Sequence, residues 1–165
     1  MVASLGGVAE RVADPAWLDE CVEEVFRVML DIESVQGMDG SSAETCSEVE
    51  SVTAVIGLGG ALSGACVFRC DSAAAMALAQ RMTGADFDQV NDTVKDGIGE
   101  LCNMVAGSWK GKFPELAARC GLSVPAVITG RDYHLHVQVP RFKLVRCYWF
   151  EGIRFSVTIV WDGLR

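Results

Sequence analysis

The sequence predicts an α/β chain of the α+β type, a largely antiparallel sheet with long helices packed on it. Two pairs of β-rich runs flank tight-turn dipeptides: residues 52–58 and 61–69 around Gly59-Gly60, and residues 142–150 and 153–161 around Glu151-Gly152. That arrangement is the signal of a hairpin. Apolar residues also recur at steps of three and four in two long segments. One contains Trp17, Leu18, Cys21, Val22, Val25, Phe26 and Met29, the other Val94, Ile98, Leu101, Val105 and Trp109. On a 3.6-residue period each set forms a stripe that packs on a core.

Taken in order, residues 1–12 are small, Gly-containing and without period, and read as a loose end. Asp14-Pro15 opens the first helix, because Asp is a preferred N-cap and Pro suits the first turn; it runs to about Asp31. Residues 37–50 are polar and turn-rich, with room for an edge strand before the first hairpin. Asp71 caps a helix through Ala73, Met76, Leu78 and Met82 that Gly84 closes. An acidic linker over residues 85–92 leads into the central helix, and residues 112–123 read as irregular helix ending at Gly121. Val124-Pro125 breaks it, since the residue before a proline is pushed to extended geometry. The remainder reads as strand over residues 134–139, 142–150 and 153–161.

At 165 residues, half of them apolar, the chain suits one core and one domain spanning residues 1–165. It has no apolar run of membrane-spanning length, and Glu10 and Asp14 stand where a signal peptide would be basic. The expected location is therefore the cytoplasm. A formal charge of −8, from 14 basic and 22 acidic side chains, argues against nucleic acid and favours a partner with a basic patch.

The seven cysteines, at 21, 46, 66, 70, 102, 120 and 147, form no C-x-x-C pair, and reduced structural thiols are expected. Cys66 and Cys70 point the same way on a strand but lack two further ligands. His134 and His136 alternate onto one strand face and lack a third. No metal site is expected.

The central helix carries a second line. Asp96, Glu100, Asn103 and Gly107 follow steps of four, three and four, so two carboxylates, a carboxamide and a bare backbone position stack along one exposed face. Asn is a weak helix former and each Gly costs about 1 kcal/mol against Ala, so Gly97, Gly99 and Gly107 conflict with the helix that holds them. Such conflicts often mark a site. A solvated helix face with tolerated glycines has the same periodicity.

Asp96, Glu100, Asn103 and, after twenty-one further residues, Pro125 reproduce a spaced pattern. It resembles the signature of the CheX/CheC/FliY chemotaxis phosphatases, and the chain length and element order resemble the CheX members. The resemblance implies a CheC/CheX-like duplicated fold. Asp19, Glu23 and Phe26 hold the register of Asp96, Glu100 and Asn103, as a worn second copy would, or as two amphipathic helices would by coincidence.

The resemblance also implies a substrate, the phosphoryl-aspartate of a CheY-type response regulator. Asn103 would orient the attacking water and Glu100 would pair with the regulator's active-site lysine. From their places on the line, Asp96 would help docking or simply hold the helix surface, and the bare backbone of Gly107 leaves room for a partner's surface to approach closely. The chain needs no cofactor of its own in this reading, because Mg²⁺ belongs to the regulator. CheX-like proteins also imply a homodimer, expected here through strands, because the long apolar last strands would otherwise leave an exposed edge. Two other readings stay open: a non-catalytic regulator-binding or flagellar-switch-like scaffold, and an unrelated ligand-binding α+β domain.

Overall fold

The computed structural model describes residues 5–40, 50–138 and 141–164. In chain order the elements are α1 (Leu5–Ala13), α2 (Pro15–Leu30), β1 (Gln36–Asp39), β2 (Ser51–Gly60), β3 (Leu62–Asp71), α3 (Ser72–Thr83) and α4 (Asp92–Gly111). There follow α5 (Pro114–Ala117), β4 (Cys120–Leu122), β5 (Ala126–Gly130), β6 (Phe142–Phe150) and β7 (Ile153–Leu164). Residues 41–49, including Cys46 and most of the polar stretch after β1, lie outside the described residues, as does Val139.

The helices begin where their capping chemistry places them. Asp14 accepts a hydrogen bond from the Ala16 amide at 2.9 Å, Asp71 from Ala74 at 2.7 Å and Asn91 from Val94 at 3.0 Å. Asp31 ends α2 in the left-handed region, and Gly84, with φ of 74°, ends α3.

Among the described residues, seven strands pair antiparallel in the order β1-β6-β7-β3-β2-β4, with β5 also on β2. The outer side of β2 is shared: Ser51–Val55 pair with β5, and Leu58–Gly60 pair with β4. Exchanging β1 with β5, β2 with β6 and β3 with β7 turns the order β1-β6-β7-β3-β2-β5 into its reverse. A pseudo-two-fold axis therefore runs between β3 and β7 and relates α2 to α4, which is the duplication expected from the sequence.

The helices cover one face of this sheet. Beneath α2, Phe26, Phe68, Tyr148 and Phe155 stack, with Phe155 4.6 Å from Phe26, 4.9 Å from Phe68 and 5.2 Å from Tyr148 between ring centroids. At the C-terminal end of α4, Trp109 meets Phe113 at 5.5 Å and Trp161 at 6.0 Å. These aromatic pairs fix how the two long helices sit on the strands.

Several elements differ from the sequence reading. The expected loose end contains α1, whose Val8 and Val12 are buried one turn apart; the small residues around them hid a short stripe. Irregular helix stops at Ala117, and Cys120–Leu122 instead form β4, because β2 offers Gly60 and Leu58 as partners. Residues 134–138 form no strand, so His134 and His136 share no strand face; both are simply exposed. The strand lies earlier, at β5. Tyr133 then ties the following segment to the sheet through a hydroxyl hydrogen bond with Thr53, under the Arg69 guanidinium, 5.2 Å from the ring centroid.

The first hairpin turns at Ala61 rather than between two glycines, with only Gly60 at positive φ (110°). The last strands leave no edge, since β1 covers β6 and β7 is internal. Among the described residues the edges are β1 and the interrupted β4–β5 line.

Candidate functional site on the central helix

Helix α4 is anchored along one face and open along the other. Val94, Ile98, Leu101, Val105 and Trp109 are all fully buried, as the period requires. Cys102 adds contacts from its Sγ to the carbonyl oxygens of Ala54 and Cys66, each at 3.7 Å, so the helix is held against β2 and β3. Asp96 and Glu100 are exposed, and Asn103 and Gly107 are half-buried. The structure thus brings all four positions onto one line. Neither Glu100 nor Asn103 has a side-chain hydrogen bond or ion pair among the described residues. A rigid backbone therefore presents a carboxylate and a carboxamide with their bonding capacity free.

Two glycines that looked costly in the sequence acquire separate reasons. Gly99 is buried, and a Cβ there would stand 3.3 Å from Pro125 Cβ and 3.5 Å from Val127 Cγ2. Its missing side chain admits Pro125. A Cβ on Gly107 would stand 3.9 Å from Leu122 Cδ1. Gly99 and Gly107 are about 12 Å apart along the helix, with Asn103 midway. The chain from Leu122 to Pro125 spans about 10 Å, so Ser123 and Val124 pass beside Asn103.

That passage is fixed from behind. Ser123 Oγ accepts from the Gly57 amide at 2.8 Å and donates to the Val124 carbonyl at 3.0 Å, while the Ser123 amide donates to the Gly57 carbonyl at 2.9 Å. The twenty-one residues between Asn103 and Pro125 are the path from the helix through α5 and β4 back to its own flank. Sequence reasoning used Pro125 as a motif position and a helix breaker. It missed Gly99 as the seat of that proline, and the only signal was a glycine inside an apolar-periodic helix.

The second-copy helix is built differently. Matching the buried residues of α2 and α4 pairs Leu18 with Ile98, Cys21 with Leu101, Val22 with Cys102, Val25 with Val105 and Phe26 with Ala106. Phe26 is therefore a core position, but it is not the counterpart of Asn103, and the register read from Asp19, Glu23 and Phe26 is corrected. Glu20 and Glu23 stand opposite Glu100 and Asn103, and Asp19 stands opposite Gly99.

In α2 that carboxylate is structural. Asp19 accepts from Arg146 Nε at 2.9 Å, Arg146 Nη2 at 2.6 Å and the Tyr148 hydroxyl at 2.7 Å. Lys112, from the end of α4, donates to Glu20 at 2.8 Å and Glu24 at 3.2 Å, and the hydrogen bond to Glu20 raises its pKa. Asp19, Glu20 and Glu24 of α2 are thus engaged within the chain, whereas Asp96 and Glu100 of α4 have no such partner among the described residues.

Two cavities of about 380 Å³ open elsewhere, one lined by residues including Arg69, Cys147, Trp149 and Ser156, the other by residues including Asp31, Glu33 and Glu151. Neither includes a residue of α4. Among the described residues no group of three or more His, Cys, Asp or Glu is placed to hold a metal ion.

The fold and the polar line together define a duplicated α+β domain of the CheC/CheX type. The model of the family "Chemotaxis phosphatase CheX" matches residues 52–145, and the chain belongs to that family. It is 27% identical over 123 residues to the CheY-P phosphatase CheX of Thermotoga maritima, covering 72% of this chain and 79% of that one. Among solved structures it is similar to the chemotaxis protein CheX of Vibrio vulnificus, with a TM-score of 0.74 at 19% identity over 88% of this chain and 94% of the other. It is also similar to the Borrelia burgdorferi CheX structure solved in a CheX–CheY–BeF₃–Mg²⁺ complex, with a TM-score of 0.70 at 18% identity over 92% and 99% of the two chains.

Proposed function

We propose that this chain accelerates hydrolysis of the phosphoryl-aspartate of a CheY-type response regulator, with α4 as the inserted surface. The observation that carries this reading is the unpartnered Glu100 and Asn103 pair on a helix locked to the sheet. Family membership and the named activity of the Thermotoga relative support it. Water attacks phosphorus, the bond from phosphorus to the regulator's aspartyl oxygen breaks, and carboxylate and inorganic phosphate leave. Phosphoryl transfer is catalysed chiefly by placement and electrostatics. The Asn103 carboxamide accepts a hydrogen bond from the water and donates one to a phosphoryl oxygen; it is no base at neutral pH, so its work is orientation. A hundredfold acceleration corresponds to about 2.7 kcal/mol of barrier, within the reach of one positioned water.

Glu100 pairs with the regulator's active-site lysine, because a carboxylate facing a phosphoryl dianion needs a cation between them. Asp96 and Gly107 extend the contact, one as a charge and one as a close backbone approach. The Mg²⁺ ion is the regulator's own. The place of action is the cytoplasm; among the described residues no helix is long and apolar enough to cross a membrane. Two copies associate through strands at the β1 edge, whose Gln36–Asp39 are all exposed, leaving the β4–β5 edge beside α4 open. A monomeric mass in solution at micromolar concentration would contradict that association.

The test is turnover of phosphorylated CheY-type regulators by wild type, Asn103→Ala and Glu100→Lys. Wild type is expected to speed phosphate loss, Asn103→Ala to lose the acceleration and Glu100→Lys to weaken the complex. Equal rates for wild type and Asn103→Ala would overturn the assignment.

A further inference from the structure

The interrupted edge beside α4 is blunted by its break and by Pro125, but it carries none of the charge that commonly guards a sheet edge. Exposed edges are usually blunted with charged side chains. Residues 121–130 contain no charged residue, in a chain where 22% of residues are charged. Val124, Pro125 and Ala126 are exposed in succession, and Ile128 is 37% exposed. At 86%, Val124 is more exposed than Val28 on α2, at 70%, or any other large apolar side chain described. A single exposed apolar residue needs no explanation, but an uncharged apolar ridge along a polar reactive line does. The ridge is also rigid, held by Ser123 through Gly57 and by Pro125 on the bare backbone of Gly99.

We propose that this ridge, with Val124 at its crest, is the apolar docking contact for the phosphorylated receiver domain that the α4 line acts on. The inference rests on the proposed function and adds what the polar motif lacks, a contact that selects and holds the partner. A charged centre flanked by a desolvated apolar anchor is the usual division of work in an interface. The ridge suits a receiver better than a second copy of this chain. It is broken at residues 123–125, and Pro125 offers no N–H, so it is a poor template for strand pairing. It also passes beside Asn103, where the partner's reacting group must sit.

The experiment compares KM and kcat for the phosphorylated regulator among wild type, Val124→Ala, Val124→Asp and Val28→Asp. The solution mass and thermal midpoint of each are measured alongside. Val124→Asp is expected to raise KM about tenfold and Val124→Ala about threefold, the loss of one apolar contact, while kcat stays within about twofold. Val28→Asp is expected to change neither. An unchanged KM for Val124→Asp, with wild type active, overturns the docking role and leaves the phosphatase reading standing. A wild type inactive on every CheY-type regulator defeats that reading itself. A KM rise that follows a fall in solution mass assigns the ridge to a second copy and overturns the proposal.

Discussion

Replacing Gly97 and Gly99 by alanine, one at a time, separates helix propensity from packing at the site. Each change gains about 0.8–1 kcal/mol of propensity. At Gly97 the new methyl stands 3.5 Å from Met82 Sδ and 3.8 Å from Ala79 Cβ, ordinary contact distances, so the gain is kept. At Gly99 it stands 3.3 Å from Pro125 Cβ, and Pro125 cannot easily retreat. The residues on either side of it are bound to β2, Ser123 through Gly57 and Val127 by pairing with Ala54. Overpacking costs about 1–3 kcal/mol, which leaves Gly99→Ala between neutral and about 2 kcal/mol less stable than wild type. The two variants should therefore differ by about 1–3 kcal/mol in urea unfolding. Turnover should fall for Gly99→Ala, because displacing Pro125 moves Val124 beside Asn103, and should hold for Gly97→Ala. Equal stabilisation by both substitutions would refute the seating of Pro125 on Gly99.

Arg146→Ala should cost about 2–4 kcal/mol in denaturant unfolding, because it strips two hydrogen bonds from the partly buried Asp19 carboxylate. Arg146→Lys should recover only part of that, since an ammonium lacks the planar fork; full recovery would argue for simple charge. Stability should also fall in alkali. Burial pushes the Cys21, Cys70 and Cys120 thiols up, and Cys102 together with burial pushes Cys66 up. The folded chain then keeps protons that the unfolded chain releases above about pH 8.5, and each fully protected thiol removes about 1.4 kcal/mol per pH unit from there. A denaturant midpoint at pH 10 equal to that at pH 7 would contradict this.

Elements whose cause is local were legible in the sequence. Asp14, Asp71 and Gly84 act within one turn of themselves, and the turn at Glu151-Gly152, with both residues at positive φ, is set by those two residues. The apolar stripe of α4 was legible because periodicity is a property of the helix alone. Elements that depend on a distant partner were not. β4 and β5 are three and five residues long and exist because β2 has a free side for them. The histidine segment alternates like a strand and forms none, because β2 is already filled by β5 and β4. The same division runs through the site. The line of Asp96, Glu100, Asn103 and Gly107 is a spacing within one helix, whereas the seat of Pro125 on Gly99 joins residues that only the fold brings together.

The most direct measurement follows one phosphorylated CheY-type regulator with Asn103→Ala, recording binding and phosphate loss on the same samples. Affinity close to that of wild type with phosphate loss reduced to the regulator's own rate is the expected result, placing Asn103 in the chemical step and not in recognition. Phosphate loss at the wild-type rate would show that water is positioned by something other than this carboxamide and would contradict the role given to the α4 line.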